Sequence, residues 1–574
     1  MKRLLLPFVL AFVCVCQGHA QSTTTGPVIV LVAPGINYTL VKEYGGKGVL
    51  PRNGGFASIR RDGLLAPLQP IYSPETGPSR ASLWTGAPPS VHGIVGNSFR
   101  IEGEPLAGGT GTFDTPLLAE TVLDAARRAG KRVVRLTDWP PSAAAQAQSF
   151  EFSPKMLAPP AVLQIKSQQG RDTWEGVSPA EASSKLELAL VDKSRVQIEA
   201  QARGARRRMR FAHGGRSGEW AEFRNAWALV KLPGGAAAAW VKWMEAPAGA
   251  NSSSTAKLFT GPVVEYSRDT LLRDFERTHG PWPGRAQGGM LRTGRIDDRT
   301  WWEQSKRLHE YHLQLGLDVL RHHAADLLLM DMSWIDSAGH VLALEHPRQA
   351  AYADEGGAKR KRFASYMQEA YRLLDEAIER VRKAMPRNAR LVIVSDHGMM
   401  PAHTSIPLQK LIGQLGWEID PAKDVDARVY ESISSAHIYV SPRRQGEAAR
   451  LEEFCRSITD PATGERVFED VLRGDDLARI GFGGPRAGAI WVMAKPGYEI
   501  SSEPDAEWGP ASFTGLHGYR GNYPQNLGVL GILGAERGAA SAADANVLDV
   551  AATLSDLLGI APPKQNAGRS LLRK

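Results

Sequence analysis

The feature that most constrains the fold is a set of short, continuous apolar runs that alternate with helix-periodic segments. The first run covers residues 27–33 and stops at Pro34–Gly35, a pattern typical of a strand buried on both faces. Similar runs cover residues 133–136, 327–330 and 391–394. Strands alternating with helices indicate a parallel sheet covered by helices, so the residues that follow each strand are the first candidates for a ligand site.

Helical stripes precede the two later runs. Apolar residues spaced three or four apart, such as Leu308, Tyr311, Leu315 and Val319, predict one helix before residues 327–330. A second stripe, from Met367 to Met385, predicts another before residues 391–394. A third helix is predicted over residues 116–129 and is closed by Gly130. The predicted fold class is therefore α/β.

Two segments depart from this alternation. Residues 153–288 alternate apolar and polar side chains between glycines, which predicts a β-rich insertion. A second, smaller insertion is predicted over residues 420–506. The core is expected in three parts, over residues 21–152, 289–419 and 507–574.

The N-terminus has the pattern of a secretory signal peptide. Lys2 and Arg3 precede an apolar stretch, and Gly18–Ala20 supplies small residues for cleavage after residue 20. We expect a secreted protein, in the periplasm of a bacterium, with no membrane span after cleavage. Cys455 is then the one cysteine of the mature chain, and it is interpreted as a packed apolar residue.

The charge of the chain suits an anionic ligand without specifying one. The formal net charge is +8 over 574 residues, which is mild for this length. The run Arg206–Arg210 resembles a nucleic-acid patch in composition, but the solvated face of a strand explains it better. No nucleic-acid binding is expected.

Metal-ligand residue types follow two predicted strands and recur near the C-terminus. Asp336 and His340 follow the third apolar run, Asp396 and His397 follow the fourth, and His517 lies later. Carboxylate oxygen and imidazole nitrogen are the usual ligands of a catalytic Zn²⁺. A helix cap and a hydrogen-bonded histidine would explain any one of these segments. Three such segments together favour a metal centre.

A fourth segment supplies a hydroxyl. Thr76, Pro78 and Gly86 have the spacing of an N-cap, a first-turn proline and a helix stop. A helix N-terminus presents free N–H groups and a positive dipole end to an anion. A hydroxyl at that position, beside a metal ion, is well placed to attack phosphorus.

These four segments, in this order, resemble the alkaline phosphatase superfamily, and most closely its type I phosphodiesterase/nucleotide pyrophosphatase branch. The segment from Thr76 to Asn97 is also similar to that of periplasmic alkaline phosphatases with a threonine nucleophile. The resemblance implies a central mixed sheet between helices. It also implies a small phosphoester substrate, hydrolysed through a phospho-enzyme.

The resemblance further implies the roles of individual residues. Two Zn²⁺ ions would be held by carboxylate, imidazole and hydroxyl groups: Asp336, His340 and His517 for the first, and Asp396, His397 and Thr76 for the second. Thr76 would be the nucleophile, and Asn97 would donate a hydrogen bond to a phosphoryl oxygen. Arg80 is expected to add a bidentate contact to the same group.

One position departs from the family pattern. An aspartate ligand of the second metal normally follows the first strand, where this chain has Pro34. Asn37 is a candidate substitute, although an amide oxygen is a poorer ligand than a carboxylate. A weakened or inactive protein that only binds a ligand is therefore an alternative to the hydrolase.

The substrate class is open among three alternatives. Sulfatase chemistry is disfavoured because its nucleophile is made from cysteine or serine, whereas this chain has Thr76. Threonine-type phosphomonoesterases carry a lysine and an arginine where this chain has residues 136–139, with neither. A phosphodiesterase is therefore favoured over a phosphomonoesterase or a phosphonate hydrolase, and the oligomeric state is left open.

Overall fold

The computed structural model describes residues 26–137, 150–151, 154–167, 173–177, 187–203, 206–244, 255–534 and 544–572. The predicted signal peptide, residues 1–20, lies outside the described residues, as do Asp138 and Trp139. Within the described part of the chain, no helix is both long enough and apolar enough to cross a membrane.

A seven-stranded mixed sheet forms the centre of the fold. Its strands lie in the order Gly63–Leu68, Gly528–Leu533, Arg390–Ser395, Val28–Val32, Leu327–Asp331, Val133–Leu136 and Phe150–Glu151. Val28–Val32 pairs in parallel with both of its neighbours. Gly528–Leu533 runs antiparallel to the strands on each side of it. The four apolar runs are thus confirmed as strands, and the α/β class is confirmed as a mixed sheet.

Helices cover both faces of this sheet, as alternate residues of its central strand show. Ile29 and Leu31 pack in one core with the long helices Asp298–His322 and Ala358–Ala384. Val28, Val30 and Val32 pack in a second core on the opposite face. The second core contains the helices Thr76–Thr85, Val122–Arg128 and Asp549–Leu558. Burial on both faces explains why the strand is apolar throughout.

The helix predicted over residues 116–129 begins later than expected. Thr121 accepts a hydrogen bond from the Asp124 N–H, and the Asp124 side chain accepts one from the Thr121 N–H, so this capping box starts the helix at Val122. Leu118 is exposed and lies before it. The helical spacing of Leu118 with Val122 was therefore misleading. Gly130 follows the helix in the left-handed region, as predicted.

The other helices are short or connect the layers. They are Tyr38–Gly46, Gly55–Asp62, Pro89–His92, Thr270–His279, Gly288–Arg292, Trp334–Leu342, Leu408–Ile412, Ala448–Ser457 and Gly474–Arg479. Trp334–Leu342 follows a central strand directly, and it carries part of the candidate site described below.

Strands between residues 156 and 265 form a separate twelve-stranded sheet. They are Met156–Ala158, Ala161–Ser167, Thr173–Val177, Glu187–Ala189, Arg195–Arg203, Arg206–His213, Arg216–Ser217, Ala221–Glu222, Trp227–Lys231, Ala237–Met244, Thr255–Thr260 and Val263–Glu265. The arginine run lies on a strand whose Met209 is buried, while the guanidinium groups of Arg208 and Arg210 lie over the Trp220 ring. The limits of the insertion, residues 153–288, stay a prediction.

A four-stranded antiparallel sheet lies within residues 420–506. Its strands are Ala427–Glu431, Ser435–Val440, Ile490–Ala494 and Phe468–Leu472, in that order. Cys455 is buried against this sheet, and burial raises the pKa of its thiol to about 12, which fits the interpretation as a packed apolar residue. Smaller pairings join Met400–Pro401 to Gly515–Leu516, Thr404–Ile406 to Tyr498–Ile500 and Gly509–Pro510, and Ser98–Phe99 to Thr110–Gly111.

Candidate metal centre and nucleophile

The sheet brings three of the predicted metal ligands together. Asp336 and His340 lie one turn apart on the helix Trp334–Leu342, which begins just beyond a central strand. His517 follows the short strand Gly515–Leu516. That strand pairs with Met400–Pro401, which lies beyond the next central strand. Three separate segments therefore end at the carboxyl edge of the sheet, as expected for an α/β fold.

The donor atoms of this group have the spacing of a metal site. One donor atom from each of Asp336, His340 and His517 lies within 4.8 Å of the other two. Asp336 Oδ1 is 3.6 Å from His340 Nε2 and 3.7 Å from His517 Nε2, beyond hydrogen-bond distance. Ligands about 2.0 Å from a tetrahedral Zn²⁺ lie roughly 3.4 Å from one another. The three groups thus fit a shared cation better than they fit direct hydrogen bonds.

Hydrogen bonds to the backbone orient each imidazole. The Nδ1 atoms of His340, His397 and His517 lie 2.7, 3.0 and 2.8 Å from the carbonyl oxygens of Gly515, Gly398 and Pro74, respectively. Protonation at Nδ1 leaves each Nε2 with a lone pair, which is the arrangement of metal-bound histidine. Burial lowers the pKa of His517 well below its ordinary value.

Several buried polar atoms of this group have no partner. Within the described residues, no hydrogen bond is made by Asp336 Oδ1, Asp396 Oδ2, His397 Nε2 or His517 Nε2. Burying unpaired polar atoms costs about 1–3 kcal/mol each. Four of them in one place indicate that a ligand of opposite charge completes the site. The residues present fit a divalent metal ion such as Zn²⁺.

Asp396 and His397 lie directly beside this group. The rings of His397 and His517 stack with 3.8 Å between their centroids. Asp396 Oδ1 is 3.7 Å from His397 Nε2. Asp396 and His397 are two of the three ligands expected for the second metal. Among the described residues, Asp336, His340 and His517 form the one group of three acidic or histidine side chains that are close enough to share a metal ion.

The structure overturns Asn37 as the substitute ligand. Asn37 is the N-cap of the helix Tyr38–Gly46, and its Oδ1 accepts a hydrogen bond from the Leu40 N–H at 2.9 Å. Its Nδ2 donates to the carbonyl oxygen of Pro524 at 2.8 Å. Both ends of the amide are therefore used in local structure. The position of the missing aspartate is taken by Pro34, which cannot ligate through its side chain.

Thr76 begins the helix that faces the metal ligands. The structure corrects one detail, because Glu75 is the N-cap and Thr76 is the first helical residue. The Pro74 carbonyl oxygen accepts from His517, which joins the start of this helix to the first metal group. Gly86 ends the helix in the left-handed region, as predicted. Within the described residues, the Thr76 hydroxyl makes no hydrogen bond, so it is available to a substrate.

Asn97 lies against the same helix start. Its Oδ1 accepts a hydrogen bond from the Gly77 N–H at 2.7 Å. Its own N–H donates to Ser432 Oγ at 2.7 Å. With Oδ1 engaged, the Asn97 amide is fixed with its N–H₂ group free to donate, which is the role predicted for it. The structure therefore brings Thr76 and Asn97 together.

A serine turn that the sequence analysis did not identify holds this arrangement. Glu75 is completely buried, and its Oε1 accepts hydrogen bonds from the N–H and hydroxyl groups of Ser434 and Ser435. Burial raises the pKa of Glu75 to about 8. Ile433, which directly precedes Ser434, has a φ of 73°, which is strained for a β-branched residue. The signal available in the sequence was a carboxylate adjacent to Thr76 and a serine-rich turn far away.

Arg80 is a buried residue of the helix that Thr76 begins. Its Nη2 donates to Ser333 Oγ at 3.1 Å, and the residue is 7% exposed. Burial opposes ionisation of Asp336, but the neighbouring imidazoles and the Arg80 charge bring the pKa of that carboxyl below its ordinary value. Arg80 therefore lies close enough to the metal ligands to act on them electrostatically.

Several solved structures resemble the chain. Phosphonoacetate hydrolase from Sinorhizobium meliloti 1021, in complex with phosphonoformate, shares 16% identity with a TM-score of 0.49, covering 93% of this chain and 96% of that one. Murine and human ectonucleotide pyrophosphatase / phosphodiesterase 5 each share 13% identity with a TM-score of 0.47, over 93% of this chain and 96% of theirs. No curated protein sequence matches the chain.

The family assignment comes from the sequence itself. Residues 28–520 match the family described as "Type I phosphodiesterase / nucleotide pyrophosphatase". This match covers most of the chain, including both predicted insertions, and confirms the resemblance to the alkaline phosphatase superfamily. The protein is thus a hydrolase of the phosphodiesterase/pyrophosphatase type. The chain belongs to the type I phosphodiesterase / nucleotide pyrophosphatase family.

Proposed function

We propose that the protein hydrolyses small phosphodiesters, with Thr76 as the nucleophile and with Zn²⁺ bound by Asp336, His340 and His517. One observation carries this proposal. The unpartnered Thr76 hydroxyl lies at the start of a helix, and the carbonyl oxygen of Pro74, two residues earlier, is hydrogen-bonded to the proposed metal ligand His517. This hydrogen bond fixes the position of Thr76, the proposed nucleophile, relative to His517, the proposed metal ligand.

The chemistry proceeds in two displacements. Thr76 Oγ bonds to phosphorus while the bond from phosphorus to the leaving oxygen breaks, and the hydroxyl proton passes to solvent. The leaving oxygen keeps the bonding electron pair and takes a proton from water. A water oxygen then bonds to phosphorus, the Thr76 Oγ–phosphorus bond breaks, and Thr76 regains a proton. The products are an alcohol and a phosphate monoester.

The chain's own residues orient the substrate for this sequence. Asn97 donates a hydrogen bond to a non-bridging oxygen, and the helix Thr76–Thr85 adds the positive end of its dipole. Arg80 contributes positive charge from beneath the helix. A bound divalent ion supplies charge neutralisation and lowers the pKa of the attacking hydroxyl.

Phosphodiesters are favoured over monoesters by charge. A phosphomonoester brings two negative charges near neutral pH, whereas a diester brings one. Arg80 is a cation beside the proposed metal ligands, and its charge favours the ionised form of Asp336. One arginine matches the single charge of a diester, which is the reason for preferring that class.

The proposal is tested by turnover and metal removal. We expect hydrolysis of bis-p-nitrophenyl phosphate to exceed that of p-nitrophenyl phosphate and of a p-nitrophenyl phosphonate monoester. Dialysis against a chelator should abolish activity, and Zn²⁺ should restore it. Faster turnover of the monoester would replace the diesterase assignment, and activity unaffected by the chelator would contradict the metal site.

A second candidate function is a binding protein without turnover. Its basis is the loss of the third ligand of the second metal, since Pro34 has no ligating side chain and Asn37 is engaged as a helix cap. Such a protein would hold about one metal ion and its phosphoester ligand without cleaving it. The following substitution distinguishes the two candidates.

Pro34→Asp is expected to complete the second site. Ala33 N–H is bonded to the Val394 carbonyl, and Ile36 N–H to Ser395 Oγ, so residue 34 lies beside the strand end that carries Asp396. Tightly bound Zn²⁺ should rise from about one to about two equivalents per chain, with a gain in turnover of at least about tenfold. Pro34→Asn is the uncharged control. Two tight equivalents in the unmodified protein would contradict this prediction.

A further inference from the structure

A cavity of about 260 Å³ adjoins the first metal group, since His340 is one of its lining residues. We name it the Phe513 pocket after another of its lining residues. Its other principal lining residues are Arg292, Lys359, Phe363 and His403. A cavity of this size takes a fragment of ring size, somewhat below the roughly 300–1,000 Å³ of sites for drug-sized ligands.

A row of neighbouring rings connects this pocket with the proposed metal ligands. The His397 and His517 rings are 3.8 Å apart, and the His517 and His340 rings are 5.2 Å apart. The His340 and Phe513 rings follow at 4.9 Å. The Arg292 guanidinium then lies 4.7 Å from the centre of the Phe513 ring. The row begins beside Asp396 and ends in a cation at the edge of the cavity.

The lining of the pocket combines apolar residues with two cationic ones. Among the described residues that line it, Arg292 and Lys359 are cationic and none carries a carboxylate. Lys359 is partly matched by Asp354 at 3.3 Å. Arg292 has no carboxylate within 4 Å in the described part of the chain. The nearby Glu499 accepts hydrogen bonds from Ser512, so its carboxylate is already engaged.

We propose that the Phe513 pocket receives the leaving group of the substrate, and that Arg292 selects leaving groups that carry a negative charge on a flat apolar body. This inference rests on the proposed function. An in-line displacement expels the leaving oxygen on the side opposite to the nucleophile. Thr76 is joined to the first metal group at His517, through Pro74, whereas the pocket adjoins the same group at a different ligand, His340.

Both a carboxylate and a phosphonate would pair with a guanidinium. Three substrates separate charge from shape: methyl 4-carboxyphenyl, methyl 4-phosphonophenyl and methyl 4-carbamoylphenyl phosphate. The carbamoyl compound has the shape of the carboxylate without its charge. Comparing the first two charged substrates shows which anion the pocket prefers.

Arg292→Ala should lower kcat/KM for the charged substrates about tenfold more than for the carbamoyl substrate. The ratio of kcat/KM for a charged substrate to kcat/KM for the carbamoyl substrate is compared between the variant and the unmodified protein. The difference in chemical reactivity between the leaving groups cancels in this comparison. Arg295→Ala, which changes an exposed arginine of the same loop outside the pocket, should leave the ratio as in the unmodified protein. If Arg292→Ala still hydrolysed the substrates and its ratio of kcat/KM values were unchanged, the inference about the pocket would be overturned and the proposed function would stand.

A binding measurement gives an answer that does not depend on turnover. By calorimetry, with Zn²⁺ and again with a chelator, 4-hydroxybenzoate should bind the unmodified protein more tightly than 4-hydroxybenzamide. Arg292→Ala should remove that difference. Equal affinity for the two compounds in the unmodified protein would refute the pocket's charge selection. If the unmodified protein hydrolysed none of the substrates but still bound 4-hydroxybenzoate more tightly than 4-hydroxybenzamide, the proposed function would be refuted instead.

Discussion

Replacing Thr76 by alanine is expected to reduce turnover of bis-p-nitrophenyl phosphate by at least about three orders of magnitude, since removal of a covalent nucleophile leaves only binding and electrostatic effects. The hydroxyl makes no hydrogen bond within the described residues and lies in the first turn of its helix. Its loss should therefore leave the midpoint of thermal unfolding within a few degrees of the unmodified value.

Three measurements make this prediction specific to the nucleophile. Thr76→Ser keeps a hydroxyl at the same position and should restore part of the activity. Zn²⁺ held by Asp336, His340 and His517 should be unchanged in the alanine variant, because Thr76 is not part of that group. Acid quenching during turnover should trap phosphate on the unmodified chain and not on Thr76→Ala. Equal turnover in the alanine variant and the unmodified protein would exclude Thr76 as the nucleophile.

Much of the fold could be predicted because buried positions must be apolar, and their spacing in the sequence differs between strands and helices. The strand Val28–Val32 is buried on both faces, and a strand in that position must be apolar at every residue. The long helices Asp298–His322 and Ala358–Ala384 bury one stripe, which appears as apolar residues three or four apart. The helix near residue 122 shows the limit, since a local capping box, not periodicity, decided where it begins.

The candidate site could be predicted in part for a related reason. Ligands such as Asp396 follow strands directly, so their position in the fold is set by the nearest strand. The residues that orient them come from elsewhere in the chain. Glu75 meets Ser434 across 359 positions, and His340 meets the Gly515 carbonyl across 175. No spacing or periodicity marks such contacts, because they depend on how segments far apart in the chain pack against one another.

The same holds for the Phe513 pocket. Arg292 ends a short helix and Phe513 precedes His517 by four residues, so neither stands out in the sequence as a ligand-binding residue. Their relation becomes visible only when His340 is placed between them and the other metal ligands. Recognition of the leaving group is therefore expected to vary among related chains more freely than the metal ligands do.

His517→Ala is expected to remove the first metal ion. Zn²⁺ sites of four ligands bind with about 10–16 kcal/mol, so one ligand contributes on the order of 3 kcal/mol, or roughly a 100-fold weaker affinity when it is lost. The loss should be larger here than that average, because His517 is fully buried and its ring stacks on His397. Hydrolysis of bis-p-nitrophenyl phosphate at micromolar Zn²⁺ should fall as the metal affinity falls.

The matched control is His437→Ala. His437 is also a buried histidine, but its Nε2 lies 3.1 Å from the Val95 carbonyl oxygen and its Nδ1 accepts a hydrogen bond from the Gly488 N–H. Both of its nitrogens are thus used in structure, whereas His517 Nε2 has no partner among the described residues. His437→Ala should lower the stability of the fold and leave Zn²⁺ content at one equivalent.

Cobalt substitution supplies a readout independent of turnover. Co²⁺ bound by Asp336, His340 and His517 absorbs visible light, and this absorption band should be lost in His517→Ala. If His517→Ala kept a full equivalent of tightly bound metal while His437→Ala lost it, the ligand assignment would be wrong, and the unpaired Nε2 would need another partner.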